Sequence, residues 1–245
     1  MTEQLPGATP HDPMAKYMAL YPEVARAGSL RNALQAAAER SGHRLLVELT
    51  ESPGWRHVAA QVAVGGRSVT VVTAEQERCF SVDCWAGGVH MATGVTDELS
   101  EVVGVMEAWP RATRVRELVA AWPYLRTWEL AEAHELGEAE AVSVRWRQMR
   151  ESAVRRQDHV LSDLLEAAYE QPRLRALSPG RSIFWLTFSR RAAPPACHDL
   201  PKVMPTKDGR FRVHVPGRPT EFVDSAAAAI AWVVAALPDD AVPQP

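Results

Sequence analysis

The feature that most constrains this chain is a change in the spacing of its apolar residues after about residue 42. Before that point apolar residues recur every three or four positions, which predicts an amphipathic helix between Ser29 and Gly42. Beyond it, apolar and polar residues alternate in the stretches 43–50, 55–64, 67–73, 77–85 and 89–94. Gly-Gly pairs at 65–66 and 87–88 are typical of two-residue hairpin turns. We therefore expect five strands in an antiparallel meander.

A single-layer sheet with one apolar face needs helices to cover that face. The helix from Ser29 precedes the predicted strands, and a second helical stretch follows Asp97, so we expect an α-β5-α domain over 23–110. Residues 1–22 are rich in proline and are expected to form a flexible tail. Within the fourth strand, Phe80 and Val82 should face the N-terminal helix, whereas Ser81 and Asp83 should face away.

The rest of the chain reads as a helical middle followed by a small sheet. Helical spacing dominates residues 111–172, with helices predicted near 115–122, 127–136 and 153–170. Two apolar runs predict strands at 182–189 and 210–215, and a helix is predicted from Ser225. Residues 173–245 are thus expected to form a C-terminal ββα unit. The predicted fold class is α+β: an N-terminal antiparallel β-meander with flanking helices, a helical middle and the ββα unit.

Composition narrows the classes of function. The 245 residues include 27 basic and 30 acidic side chains and are 47% hydrophobic, which supports a folded core and gives no basic excess for nucleic acid. No apolar run is long enough to span a membrane, and the first residues do not resemble a signal peptide. Three cysteines without a CxxC pair agree with a reducing compartment. We expect a cytoplasmic protein without nucleic-acid or membrane partners; the sequence leaves its oligomeric state open.

Two short strings resemble catalytic or metal motifs. His134 and Glu138 would share one face of a helix, but the zinc-protease pattern needs a second histidine where Glu138 stands. Cys197, His198 and Asp199 are adjacent in the chain, whereas a catalytic triad is assembled in space. No nucleotide-binding or nucleophile-elbow motif is present. We therefore predict no metal site and no cofactor, and we assign no catalytic residues.

The strongest candidate for a binding site is a cluster of basic residues near the C-terminal strands. It consists of Arg190, Arg191, Lys202, Lys207, Arg210 and Arg212. Arg212 and His214 should point outward from the last strand, opposite its apolar residues. A cationic face beside a tryptophan suits the carboxylate or phosphate of a partner. The predicted ligand-binding residues are Trp185, Arg190, Arg191, Arg212 and His214. The alternative is that these charges only protect an exposed sheet edge.

Several motifs, in the same order along the chain, resemble the DUF6193 family. They include GGRSVTVVT, FSVDCWAGGVHMATGVTDEL, AEAHELGEAEAVSVRW, LLEAAYEQPRLRALSPGRSIFWLTFSRR, DGRFRV and AAAAIAWVVAALPDDAVP. The resemblance extends over nearly all of the chain after about residue 20. It implies a natural product biosynthesis protein, but no reaction and no catalytic residues follow from it.

Together these features favour an accessory or recognition protein in a specialised-metabolite or modified-peptide pathway. Such a protein would bind a peptide or a pathway enzyme without its own catalysis. A cofactor-independent tailoring enzyme acting on a peptide or small acid is the second hypothesis, and an immunity or regulatory protein is the third. A deep pocket with converging titratable groups would favour the enzyme, whereas an exposed groove or patch would favour binding.

Overall fold

The computed structural model describes residues 19–50, 58–197 and 199–243. The chain divides into two compact units, Met1–Trp128 and Glu129–Pro245. Each unit combines an antiparallel sheet with helices, which confirms the predicted α+β class. The predicted helical middle, 111–172, is shared between the two units. None of the helices in the described ranges is both long enough and apolar enough to cross a membrane.

The first unit is a six-stranded antiparallel sheet in meander order, β1-β2-β3-β4-β5-β6, with helices at its start and end. Its elements in chain order are α1 (Pro22–Ala27), α2 (Leu30–Arg40), β1 (Glu48–Leu49), β2 (Ala59–Val64), β3 (Arg67–Thr73), β4 (Phe80–Ala86), β5 (Val89–Thr96), α3 (Leu99–Ala108), a 3-10 turn (Trp109–Arg111), α4 (Val115–Ala121) and β6 (Leu125–Arg126). Helices α2 and α3 contact the sheet and help to cover its apolar face.

Local sequence signals account for most of this unit. The Ser29 hydroxyl accepts a hydrogen bond from the Asn32 amide at 3.1 Å, which caps α2 as predicted. Both residues of each Gly-Gly turn have positive φ, the conformation that glycine adopts without steric cost. Phe80, Val82 and Cys84 are fully buried, whereas Ser81 and Asp83 are half-buried. The predicted alternation of buried and less buried residues along β4 is therefore confirmed.

The predicted strand over 43–50 is wrong for most of its length, because only Glu48 and Leu49 pair with β2. The backbone groups of Val47 bind side chains of α2 instead: its N–H donates to Gln35 and its carbonyl accepts from Arg31. Residues 51–57, where the next predicted strand begins, lie outside the described residues. The short sixth strand was not predicted; it pairs with β5.

The prediction of a flexible tail over 1–22 is wrong at its C-terminal end, because the last of these residues belong to the folded unit. Residues 1–18 lie outside the described residues, but Tyr21 is fully buried and Pro22 begins α1. The Tyr21 hydroxyl accepts hydrogen bonds from the amides of Ala74 and Cys79, at 3.1 and 2.9 Å. Its ring lies 5.4 Å from that of Phe80. The segment just before α1 is thus part of the core, because a buried phenol can satisfy polar groups of the loop before β4.

The second unit contains a five-stranded antiparallel sheet in the order β11-β10-β9-β8-β7. Its elements are α5 (Glu129–Leu136), α6 (Glu138–Arg155), α7 (His159–Tyr169), α8 (Pro172–Arg175), β7 (Ser178–Ser182), β8 (Trp185–Ser189), β9 (Lys202–Pro205), β10 (Phe211–His214), β11 (Glu221–Val223) and α9 (Ala226–Ala235). Its core is formed by apolar residues from α6, α7, α9 and one face of this sheet.

The helices of this unit differ from the prediction. Helix α6 was not predicted, and the helix expected over 153–170 is interrupted between Arg155 and His159. Gln157 has a positive φ of 55° there, and the Asp158 carboxylate caps α7. The apolar residues of α6 are interspersed with arginines, which obscured its helical spacing.

The run SIFWLTFS is also not a single strand. It contains the end of β7, a turn at Ile183 and Phe184, and β8. Strands β9 and β11 complete the sheet, so this region is larger than the predicted ββα unit. A strand-like sequence concealed the turn, because neither turn residue is a usual turn former.

Candidate functional site

The sheet of the second unit has one face in the core and one face away from it. Leu186, Phe188, Val203 and Val213 are buried on the core face. Alternation along the strands places a different set on the opposite side, which we call the outer face. It includes Trp185, Lys202, Met204, Arg212, His214 and Phe222.

Strand register brings the charged residues of the outer face together around Trp185. His214 pairs with Lys202, and Arg212 pairs with Met204. The Lys202 ammonium lies 5.0 Å from the centre of the indole ring, and the Arg212 guanidinium lies 5.6 Å from it. The His214 ring meets the indole edge-on, with centroids 6.3 Å apart. Two cation–π contacts therefore hold both cations beside one aromatic surface.

No residue in the described part of the chain neutralises the charges of Lys202 and Arg212. Within the described ranges neither residue forms an ion pair, whereas the neighbouring Arg210 binds Asp208 at 2.9 Å. Among the described residues, the outer face therefore carries two positive charges without an ion-pair partner next to Trp185. This arrangement suits a carboxylate or phosphate group of a binding partner.

The turn between β7 and β8 adds an apolar tip beside Trp185. Ile183 is 79% exposed and Phe184 is 62% exposed, which is unusual for two consecutive large apolar residues. Ile183 also has a positive φ of 57°, a conformation that is rare for a β-branched residue. Sequence reasoning missed this tip because it assigned both residues to a continuous strand.

Arg190 is not part of this surface. It is only 7% exposed and forms ion pairs with Asp199 and Asp240. The hydrogen bond with Asp199 raises the pKa of the Arg190 guanidinium and lowers that of the Asp199 carboxyl group. Its charge therefore links the end of β8 to the C-terminal segment.

Arg191 follows the end of β8, and no contact between described residues joins it to the outer face. It is half-buried, its amide donates to the Ser189 hydroxyl, and no described residue forms a hydrogen bond with its Nε. The structure thus brings together three of the five predicted ligand-binding residues, Trp185, Arg212 and His214. It adds Lys202, which the sequence had already placed in the basic cluster.

Within the described residues, neither of the two catalytic-looking strings forms a recognisable site. His134 lies in the last turn of α5 and Glu138 begins α6, because Gly137 separates the two helices. Burial is the main cause that lowers the pKa of His134. The Cys197 amide donates to the Ser189 hydroxyl, and His198 lies outside the described residues. No group of three or more potential metal ligands occurs in the described ranges, and the absence of a metal stays a prediction for elemental analysis.

Sequence reasoning missed a polar cluster on the sheet of the first unit. Asp83 accepts a hydrogen bond from Thr93 at 2.7 Å and lies 2.9 Å from Nε2 of His90. The His90 ring stacks on Trp85 at 4.5 Å and contacts the edge of Trp128 at 4.9 Å. Only cross-strand register reveals this grouping, since the residues come from β4, β5 and the segment after β6.

Comparison with known proteins gives one family match. The model of a family described as "Family of unknown function (DUF6193)" matches residues 140–244. This match covers most of the second unit and supports the resemblance there, whereas the motifs between 65 and 139 lie outside it. Neither the search of curated proteins nor the search of solved structures found a match.

Proposed function

We propose that this protein is a non-catalytic recognition protein whose outer face binds an acidic peptide segment of a partner. The observation that carries the proposal is the position of Trp185 beside two cations, Lys202 and Arg212, that have no ion-pair partner in the described ranges. Carboxylates of a partner would supply the missing opposite charges. The exposed Ile183 and Phe184 would contact an apolar side chain next to them.

The biological setting of the proposal is the cytoplasm and a specialised-metabolite or modified-peptide pathway. The pathway rests on the resemblance to the DUF6193 family, and the compartment is supported by three cysteines that are all free thiols. In such a pathway the partner would be a precursor peptide or a pathway enzyme with an acidic segment.

Charge reversal tests the proposal directly. A fluorescent glutamate-rich peptide containing one leucine would be titrated with the protein, and its anisotropy measured at low and at physiological salt. Because salt screens exposed charges over about 8–10 Å, binding should weaken as salt rises. The double variant Lys202→Glu with Arg212→Glu should lower the affinity by about tenfold or more, since reversal adds repulsion to the lost attraction.

A matched control distinguishes binding by the outer face from an effect of net charge alone. Lys207→Glu with Arg218→Glu makes the same change in net charge at two other exposed positions, and it should change the affinity less than about twofold. Equal losses in both double variants would mean that only net charge matters, which would overturn the proposal. Tighter, Trp185-dependent binding of a single-stranded oligonucleotide would instead assign the face to nucleic acid.

A cofactor-independent tailoring enzyme is the second candidate function. Asp83 and His90 are within hydrogen-bond distance, an arrangement that could orient the imidazole as a general base. His90→Gln would then abolish product formation in the producing cells while leaving peptide binding at the outer face unchanged. Normal product levels with His90→Gln would count against this candidate.

A further inference from the structure

A cavity of about 510 Å³ lies in the second unit, away from the outer face. One wall is the first half of α6, where Glu138, Val142, Ser143 and Trp146 share one side of the helix. The opposite wall comes from the end of α7 and the segment around Arg175. The volume falls in the range of about 300–1,000 Å³ that is usual for small-molecule sites.

The apolar part of the cavity has a fixed aromatic wall. Trp146 is 1% exposed, and its indole N–H donates to the Leu177 carbonyl at 3.0 Å. The Tyr169 ring meets Trp146 edge-on, with centroids 5.5 Å apart. Because these rings are held by packing and a hydrogen bond, they are preorganised to contact a flat apolar molecule.

The charged side chains at the cavity differ in whether they are paired with an opposite charge. Glu138 accepts a hydrogen bond from the Ala192 amide and lies near the cationic Arg145. Arg150, over the Tyr169 ring, is neutralised by two hydrogen bonds to Glu166, of 2.8 and 2.6 Å. Arg175 also lies over Tyr169, at 5.6 Å, but it forms no ion pair with any described residue. Among the described lining residues, Arg175 is therefore a cation without an ion-pair partner.

From this combination we infer that the cavity binds a small aromatic carboxylic acid. The aromatic ring packs against Trp146 and Tyr169, and the carboxylate binds the Arg175 guanidinium. The Ser143 hydroxyl, which is exposed and forms no hydrogen bond with a described residue, is available as a further polar contact. This site shares no residue with the outer face, so it can exist whether or not the proposed peptide binding is correct.

Three probes with the same ring test the charge requirement: indole-3-acetate, indole-3-acetamide and tryptamine. Calorimetric titration of the full chain should give the tightest binding for the acetate. The amide should bind about tenfold more weakly, because it loses the charge-assisted hydrogen bonds, and the cationic amine more weakly still. No binding of the acetate at millimolar concentration, or equal binding of all three probes, would overturn the inference.

Substitutions locate the site. Arg175→Gln should remove the preference for the acetate over the amide, whereas Arg156→Gln removes the same charge at the far end of α6 and should leave the preference intact. Ser143→Met places a larger side chain at the cavity wall from an exposed position and should weaken all three probes. An unchanged preference in Arg175→Gln, or unchanged affinities in Ser143→Met, would place binding elsewhere. Circular dichroism of each variant checks that the fold is retained.

Discussion

At the scale of single residues, Ile183 has a backbone conformation that is unfavourable for its side chain and lowers the stability of the protein. Hairpin turns with positive φ at the first central position favour glycine there, yet this chain has a β-branched residue whose side chain is mostly exposed. An isoleucine in this conformation gains no burial that would offset the steric cost. Such local strain is often found at functional positions, which agrees with the proposed role of the Ile183–Phe184 tip in partner binding.

Replacing Ile183 with glycine should therefore stabilise the protein while weakening peptide binding. Relief of the left-handed conformation contributes about 1–2 kcal/mol, and the greater freedom of glycine in the unfolded chain costs about 0.5–1 kcal/mol. The expected net gain in the free energy of unfolding is about 0.5–1 kcal/mol, measured by urea denaturation. Phe184→Gly is the matched control: Phe184 has no positive φ, so this variant should lose stability. A less stable Ile183→Gly protein would contradict the argument.

At the scale of elements, the connection between α5 and α6 shows how one glycine can end a helix that the sequence pattern would continue. His134-Glu135-Leu136-Gly137-Glu138 reads as one helix with a weak position, but Gly137 has φ 122° and ψ 172° and separates two helices. That backbone region is essentially open only to glycine. Gly137 thus removes the shared helix face that a metal site with His134 and Glu138 would require.

Gly137→Ala should consequently destabilise the second unit by about 1–3 kcal/mol through backbone strain alone. Open space surrounds the position, since a Cβ there would meet no atom within 4 Å, so a steric clash would not contribute. Gly217 provides the comparison because its φ of 74° is left-handed, where asparagine is tolerated. Asparagine should cost clearly more at Gly137 than at Gly217 in denaturant midpoint, and equal costs would show that α5 and α6 can join differently.

At the scale of the whole molecule, the chain forms two units that each have an antiparallel sheet and associated helices. The core cluster of the second unit draws all of its buried residues from 133–241. The outer face and the cavity also belong to this unit. A domain with its own core and its own sites is expected to fold alone.

A fragment of residues 129–245 should therefore unfold cooperatively and bind the glutamate-rich peptide with the affinity of the full chain, within about twofold. Thermal and urea unfolding followed by circular dichroism measure the first property, and anisotropy measures the second. The fragment 1–128 serves as the control and should fold without binding the peptide. A fragment 129–245 that lacks a cooperative transition would show that its stability depends on the first unit.

The predictable parts of this protein are those that depend on neighbouring residues. The cap at Ser29, the Gly-Gly turns and the burial of Phe80 and Val82 follow from local geometry and from two-residue alternation. Helix α6 was harder to predict, because its arginines mask an apolar stripe that becomes apparent only when the helix packs in the core.

The sequence by itself determined the strand alternation that turns Arg212 and His214 away from the core. Only the tertiary structure decided which cations remain available. Arg190 is neutralised by Asp199 and Asp240, which lie nine and 50 residues further along the chain. Strand β9 inserts between β8 and β10 and brings Lys202 to Trp185. The physical reason is that alternation is local, whereas charge compensation and strand order depend on contacts between distant residues, which the spacing of residue types does not encode.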